Sequence, residues 1–113
     1  MQRLIAVPSD GKTVDSQISD RFARASFFLV FDEEGLLREV IENKAKEAGH
    51  GAGGQAVQEL SRSGVFVVLA PRIGPKAQAA LNAAGMEFYE VKNCNTCKQA
   101  VEEYINEGPY KER

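Results

Sequence analysis

No apolar stretch of this sequence is long enough to cross a membrane. A membrane-spanning helix needs roughly 20 consecutive apolar residues, and no run in the 113 residues approaches that length. Residues 1–8 also lack the long apolar stretch and the cleavage site of a secretory signal peptide. Both absences predict a cytoplasmic protein with no membrane partner.

An excess of positive charge is also missing. The chain has 14 lysines and arginines against 16 aspartates and glutamates, so its formal net charge is -2. Proteins dedicated to nucleic acids take most of their affinity from a basic surface. We therefore expect no nucleic-acid partner, although a local basic site is compatible with this balance.

Cysteines are few and lie close together, in the single C-x-x-C segment Cys94-Asn95-Thr96-Cys97. In a reducing compartment such a pair is more typical of metal binding or redox chemistry than of a structural disulfide. A tetrahedral zinc or iron–sulfur site needs four ligands, so this pair would need His50 or a second subunit. The position of Cys97 at a predicted helix start favours a lowered pKa and more thiolate. Its place on the apolar face of that helix favours simple burial instead.

The chain has one histidine, His50, which lies in the glycine-rich segment 49–54. A neutral imidazole in such a loop is a candidate ligand for iron or another metal. The alternative is an ordinary solvent-exposed loop histidine.

The rest of the composition is typical of one globular domain. Apolar residues make up 43% of the chain and charged residues 27%. Hydrophobic patterning predicts the order β-β-β-α-β-α-β-α. The strands are expected at residues 4–7, 26–31, 36–42, 65–70 and 86–91, with loops at 12–20 and 43–53 and helices after residue 53, from residue 75 and near residue 97.

Local signals fix several element ends. Gly35 is suited to the positive φ of a hairpin turn, and Gly64 to the end of the first helix. Pro75 fits the first position of the second helix, where its missing N–H costs nothing. Thr96 and Gln99 have the spacing of a capping box at the start of the third helix.

This element order predicts where a ligand would bind. The hairpin makes the early strands antiparallel, and the helical crossovers make the later strands parallel. Ligands of such sheets collect outside the carboxyl ends of the strands, where the chain order reverses. The loops after the first and fourth strands should line that crevice, which predicts site residues Ser9, Asp10, Arg72, Ile73 and Gly74.

The predicted crevice has the chemistry of an anion site. The second helix begins at Gly74-Pro75-Lys76, and free N–H groups at a helix start attract anions. Arg72 adds a charged planar fork suited to carboxylate or phosphate, and Arg21 and Arg24 add charge from a neighbouring loop. The alternative is an ordinary strand–helix turn with solvated arginines.

Three motifs together resemble the dinitrogenase iron–molybdenum cofactor biosynthesis family, which includes NifX, NafY and the C-terminal domain of NifB. They span nearly the whole chain, and it is their order and spacing that are distinctive. The motifs are Ala6-Val7-Pro8-Ser9-Asp10-Gly11, Arg21-Phe22-Ala23-Arg24-Ala25 and Gly64-Val65-Phe66-Val67-Val68-Leu69-Ala70-Pro71-Arg72-Ile73-Gly74-Pro75.

The resemblance implies a fold and a ligand. The fold is a ribonuclease-H-like three-layer α/β/α domain over residues 1–113, with a five-stranded mixed sheet of order 3-2-1-4-5. The implied activity is non-catalytic binding or carriage of the iron–molybdenum cofactor or an iron–sulfur cluster, with cluster-assembly proteins as partners. The residue patterns above, with Phe22 added from the second motif, give the expected ligand contacts Ser9, Asp10, Arg21, Phe22, Arg24, Arg72, Ile73 and Gly74. The histidine and cysteine patterns give His50, Cys94 and Cys97 as the expected metal ligands.

The second motif departs from the family pattern at two positions. Arg21 stands where the family has a histidine, and Ala23 where it has a glycine. If relatives use that histidine as a cluster ligand, this chain cannot do so.

Two other functions are compatible with the sequence. The C-x-x-C pair allows a thiol redox or metal-binding protein. A ribonuclease-H-like fold also allows a two-metal nuclease. That chemistry needs acidic residues on the first and fourth strands, and neither strand carries one at its centre.

Overall fold

The strands and helices follow the predicted order. A computed structural model describes residues 3–47, 51–92 and 94–107. The strands are β1 Leu4–Ser9, β2 Phe27–Phe31, β3 Leu37–Glu42, β4 Val65–Ala70 and β5 Glu87–Glu90; the helices are α1 Ala52–Arg62, α2 Pro75–Ala83 and α3 Cys97–Glu107; and two 3-10 turns span Phe22–Arg24 and Lys44–Glu47.

The five strands form one mixed sheet in the order β3-β2-β1-β4-β5, which confirms the predicted topology. β2 is antiparallel to both β1 and β3, whereas β1 and β5 run parallel to β4. The chain order therefore reverses between β1 and β4. This is the position at which the sequence predicted a crevice.

Helices cover both faces of the sheet, as predicted for a three-layer domain. On one face, α1 and α2 contribute Ala56, Leu60 and Leu81 to a core with β1, β2 and β4. On the other face, α3 contributes Val101 and Tyr104 to a second core. Any site near α1 and α2 is therefore separated from α3 by the sheet.

β1 is longer than the predicted 4–7, because Pro8 and Ser9 continue its pairing with β2. A proline inside a sheet usually removes a ladder hydrogen bond. Here the parallel pairing of β1 with β4 ends at Ala6. Beyond that point the carbonyl of Pro8 accepts a hydrogen bond from the Ser19 amide at 3.0 Å.

The predicted turn and cap signals are confirmed. Gly35 has φ 87° in the β2–β3 turn, and Pro75 occupies the start of α2. The Gln99 amide donates to Thr96 Oγ1 at 3.2 Å, while Gln99 Oε1 accepts from the Thr96 amide at 3.3 Å. This reciprocal pair is the predicted capping box of α3.

The β2–β3 turn is organised around the buried carboxylate of Asp32. Its Oδ1 accepts hydrogen bonds from the amides of Glu34 at 2.9 Å and Leu36 at 3.1 Å. Its Oδ2 accepts from Arg38 Nη1 at 3.2 Å. Burial alone would raise the pKa of Asp32, but the hydrogen bonds from Leu36, Glu34 and Arg38 together hold it below its ordinary value.

α1 begins at Ala52, although the sequence predicted a loop up to residue 53. Two consecutive glycines disfavour a helix by propensity alone. Burial of Ala52 and Ala56 compensates, since both pack into the core beneath α1. The glycine pair Gly53 and Gly54 therefore forms part of the first turn of a helix.

Within the described residues, no helix combines the length and the apolar content needed to span a membrane.

Candidate functional site

A pocket of about 710 Å³ lies where the first 3-10 turn meets the N-termini of α1 and α2. The loop that follows β4 closes it on one side, so it lies at the predicted reversal of chain order. The lining residues are Asp20, Arg21, Phe22, Ala23, Arg24, Gly51, Ala52, Gly53, Gly54, Arg72, Ile73, Gly74, Pro75, Lys76 and Ala77.

Positive charge dominates the pocket wall. Four cationic side chains line it, those of Arg21, Arg24, Arg72 and Lys76. Among the described residues that line the pocket, Asp20 is the one acid. The chain as a whole is slightly acidic, so this wall is a local concentration of positive charge that favours anions.

Two of these arginines interact with other residues of the chain. Arg24 Nη1 donates to the carbonyl oxygen of Lys46, which links the two 3-10 turns. Arg72 Nη2 lies 3.4 Å from Asp20 Oδ2. Both side chains of the second pair are largely exposed, so an anionic ligand can compete with Asp20 for Arg72.

Two helix N-termini meet at the pocket. The N-cap residues are Gly51 for α1 and Gly74 for α2, and neither can cap its helix with a side chain. First-turn amides of a helix have no intrahelical partner. Together with the helix dipoles, they make this end of each helix attractive to an anion.

Close packing between Gly53 and Ala77 holds the two helix starts together. A Cβ atom built on Gly53 would lie 3.3 Å from Ala77 Cβ and 3.4 Å from its Cα. That separation is tighter than ordinary van der Waals contact. Glycine therefore permits the approach that places both sets of amides on one pocket.

We expect Gly53→Ala to disturb this junction and Gly54→Ala to spare it. A Cβ on Gly54 meets no atom within 4 Å, so that variant should gain about 0.5 kcal/mol from helix propensity. Gly53→Ala should be less stable than Gly54→Ala by about 1 kcal/mol, because the added methyl group pushes against Ala77. Urea unfolding of the two variants measures this difference, and equal stabilities would contradict the packing argument.

Apolar groups form the floor of the pocket. The 3-10 turn directs Phe22 inward, where it is buried and packs on Phe28 with ring centroids 5.2 Å apart. Ile73 packs against the same core. The pocket thus combines a charged rim with an apolar interior, as ligand sites commonly do.

Six of the eight predicted ligand-contact residues come together on this pocket. Five were expected from charge or from the strand-end rule, and Phe22 from the family motif. Ligand binding by them stays a prediction. The six are Arg21, Phe22, Arg24, Arg72, Ile73 and Gly74.

Ser9 and Asp10 do not line the pocket. Ser9 is fully buried, and its Oγ accepts from the Gly11 amide at 3.1 Å and donates to the Gly11 carbonyl at 2.8 Å. The exposed Asp10 donates its amide to the carbonyl of Gln17 at 3.0 Å. These contacts organise the turn after β1, and in the structure Ser9 stabilises that turn through its hydrogen bonds to Gly11.

Of the two alternatives left open for Cys97, the structure favours burial over a reactive thiolate. Cys97 is fully buried in the core beneath α3, and burial raises the pKa of its thiol. The hydrogen bond with Ser9 lowers that pKa by less, and the charge of Asp10 adds to the rise. The effect of burial on the pKa of Cys97 is therefore larger than any lowering from its position at the helix start.

The two cysteines lie on the α3 side of the sheet and are not joined in a disulfide. Cys94 is half-buried, and its Sγ donates to Glu103 Oε1 at 3.2 Å. The cationic pocket belongs to the opposite side, with α1 and α2. The structure therefore does not bring this pair together with the predicted anion site.

His50 lies outside the described residues, so its predicted role as a metal ligand stays a prediction. Gly51, the next residue along the chain, lines the pocket. Within residues 3–47, 51–92 and 94–107, no group of three or more histidine, cysteine, aspartate or glutamate side chains is placed to hold a metal ion.

Sequence reasoning missed the N-terminus of α1, Lys76 and Asp20 as parts of the pocket. Lys76 was visible as the residue after Pro75, on the first turn of a predicted helix. The α1 terminus was hidden because its glycines were interpreted as loop. Asp20 falls in the predicted loop 12–20, and its proximity to Arg72 spans 52 positions of sequence.

Comparison with protein families and solved structures gave consistent matches. Residues 1–107 match the family described as dinitrogenase iron-molybdenum cofactor. An uncharacterized protein of Methanocaldococcus jannaschii is 30% identical over 89 residues, which cover 76% of this chain and 72% of that protein.

Two solved structures are similar over almost their full length. The apo form of the orange protein from Desulfovibrio gigas is 35% identical, with a TM-score of 0.87 and coverage of 96% of this chain and 91% of that one. A putative NifB protein from Thermotoga is 37% identical, with a TM-score of 0.80 and coverage of 94% and 90%.

Proposed function

The chain belongs to the dinitrogenase iron–molybdenum cofactor family, and we propose that it binds and carries an anionic metal cluster without catalysing a reaction on it. The proposed guest is the iron–molybdenum cofactor, an iron–sulfur cluster or a related anionic metal cofactor. Proteins that assemble or receive such clusters are the proposed partners.

The observation that carries this proposal is the convergence of positive groups on one pocket. Arg21, Arg24, Arg72 and Lys76 line it, and two helix N-termini open onto it. Charge-assisted hydrogen bonds to an anion are roughly twice as strong as neutral ones. A polyanionic cluster would use several of these donors at once.

The size and the floor of the pocket suit a multi-atom guest. Ligand sites commonly have volumes of about 300–1,000 Å³, and this pocket has about 710 Å³. Its floor includes Phe22 and Ile73. Sulfide ligands are soft and polarisable, so such a floor can contact the face of a cluster while the rim neutralises its charge.

The described pocket lining contains neither a thiol nor an imidazole. Its donors are guanidinium, ammonium and amide N–H groups, which bind the ligands of a cluster and not its metals. We propose that His50, adjacent in sequence to Gly51, supplies a direct metal ligand. The cluster would then be held by one coordinate bond and by many ionic contacts.

The alternatives receive less support. Thiol exchange needs an accessible thiolate, whereas Cys97 is buried and its pKa is raised. Metal ligation by Cys94 and Cys97 would be a separate site on the α3 side, completed by ligands from elsewhere. A two-metal nuclease needs carboxylates at the sheet centre, and β1 and β4 carry none.

A direct test is anaerobic titration with a synthetic [4Fe–4S] cluster that carries four thiolate ligands and a net charge of about −2. We expect saturable binding. The bound cluster, detected by its visible absorbance, should elute with the protein in gel filtration. Affinity should fall as salt is raised, because the contacts are ionic. In the wild type the neutral imidazole of His50 would displace one thiolate from iron, and that thiolate would leave and take up a proton from the solvent. His50→Ala should weaken binding about tenfold and change the absorbance spectrum, since it removes the proposed metal ligand.

The outcomes separate the parts of the proposal. Absence of co-elution at low salt would rule out cluster binding. Binding with an unchanged spectrum and affinity in His50→Ala would leave the pocket as an anion site and remove the coordinate bond.

A further inference from the structure

Asp20 is an acidic residue in a pocket whose other charged residues are cationic. It is the one acidic side chain among the described pocket residues, which also include Arg21, Arg24, Arg72 and Lys76. Its Oδ2 lies 3.4 Å from Arg72 Nη2, with 63% of the Asp20 side chain and 74% of the Arg72 side chain exposed. An exposed pair of this kind adds little to stability, so stability alone does not account for the acid.

The local backbone holds Asp20 at the rim. Ser19, the preceding residue, is buried, and its amide donates to the Pro8 carbonyl at 3.0 Å. Ser19 Oγ accepts from the amide of Arg21 at 3.2 Å. Asp20 thus stands on a short turn anchored on both sides, with its carboxylate 3.4 Å from the Arg72 guanidinium.

We infer that Asp20 is an internal competitor for Arg72 that sets how tightly the pocket holds its guest. This inference rests on the proposed binding of an anionic cluster. In the free protein the Asp20 carboxylate forms an ion pair with the Arg72 guanidinium. A guest must displace it on entry, and on exit Asp20 takes the guest's place.

This arrangement suits a carrier, which must give up its cargo. A pocket with four unopposed cations would bind a polyanion tightly and release it slowly, since affinity differences lie mostly in dissociation rates. A competing carboxylate lowers the free-energy gain on binding and gives Arg72 a partner during release. Asp20 is therefore an affinity-determining residue and not a ligand of the guest.

The test compares Asp20→Asn with Asp15→Asn, using the same [4Fe–4S] probe. Asp15 is exposed in the same loop and does not line the pocket, so it controls for the change in net charge. We expect Asp20→Asn to bind the probe about threefold to fivefold more tightly and to release it more slowly. Asp15→Asn should match the wild type within about twofold.

A second comparison isolates the role of Arg72. In an Arg72→Gln background the carboxylate has lost the cation for which it competes, so adding Asp20→Asn should change affinity by less than about twofold. A full effect in that background would show long-range repulsion and overturn the competitor role. Weaker binding by Asp20→Asn alone would mean that the acid orients Arg72 for the guest, which also overturns it.

These failures differ from failure of the proposed function. If the wild type binds no probe at all, the carrier proposal falls and this inference falls with it. If the wild type binds and Asp20→Asn is no tighter, only the role of Asp20 is lost.

Discussion

Replacing Arg21, Arg72 and Lys76 together with glutamine is expected to weaken binding of the [4Fe–4S] probe by about a hundredfold or more. All three side chains are exposed and line the pocket. Three lost ionic contacts at about 1 kcal/mol each correspond to about a hundredfold in Kd. Titration at low salt, read by co-eluting absorbance, measures the change.

The matched control removes three cations from elsewhere on the surface. Arg62, Lys92 and Lys98 are exposed and do not line the pocket, so their replacement with glutamine makes the same change in net charge. We expect this variant to bind the probe within about threefold of the wild type. Equal weakening by both triple variants would assign the effect to net charge, and unchanged binding by the pocket variant would place the guest elsewhere.

Replacing Asp32 with alanine is expected to lower the free energy of unfolding by about 3 kcal/mol. The carboxylate is buried and accepts hydrogen bonds from Glu34, Leu36 and Arg38. The variant leaves two amides of the turn without their acceptor, which costs about 1–3 kcal/mol for each group that stays dry. Urea unfolding measures the loss, and Glu34→Gln, an exposed change in the same turn, should cost less than about 0.5 kcal/mol.

Asp32 should also contribute to loss of stability in acid. Its folded-state pKa is lowered, so its charge stabilises the protein fully above the unfolded-state pKa of about 3.9. That contribution is lost as the pH falls through the lower folded-state value. Below about pH 4 the wild type should therefore lose stability more steeply than Asp32→Asn, which has no charge to lose. Parallel curves for the two proteins would contradict this assignment.

Local chemistry was sufficient to predict much of the fold. Gly35, Pro75 and the Thr96–Gln99 capping box act over a few residues, and each has the predicted geometry. The strand order followed from hairpin and crossover rules that depend little on side-chain detail. These signals are local or topological, and therefore a sequence can display them.

Part of the candidate site was predictable for the same reason. Arg72 and Gly74 follow β4 directly, so the rule for strand ends located them. The contribution of α1 was not predictable, because its first turn depends on Gly53 fitting against Ala77, a contact between distant segments. The low helix propensity of glycine predicted a loop at these residues, but tertiary packing stabilises a helix there.

The remaining errors concern the direction and depth of side chains. Ser9 lies at the predicted strand end, yet it is buried within its own turn. Cys97 starts a helix, yet its burial outweighs the effect of the helix start on its thiol. Spacing along the chain does not determine solvent exposure at an element boundary, so these two outcomes required coordinates.

The division of the protein by its sheet has a practical consequence. The pocket opens among α1, α2 and the first 3-10 turn, whereas α3 packs on the reverse face and exposes Glu102 and Asn106. A protein immobilised through the outer surface of α3 would keep the pocket free. Binding and release of the proposed cluster could then be followed on a sensor chip, with the protein attached through the face opposite the pocket.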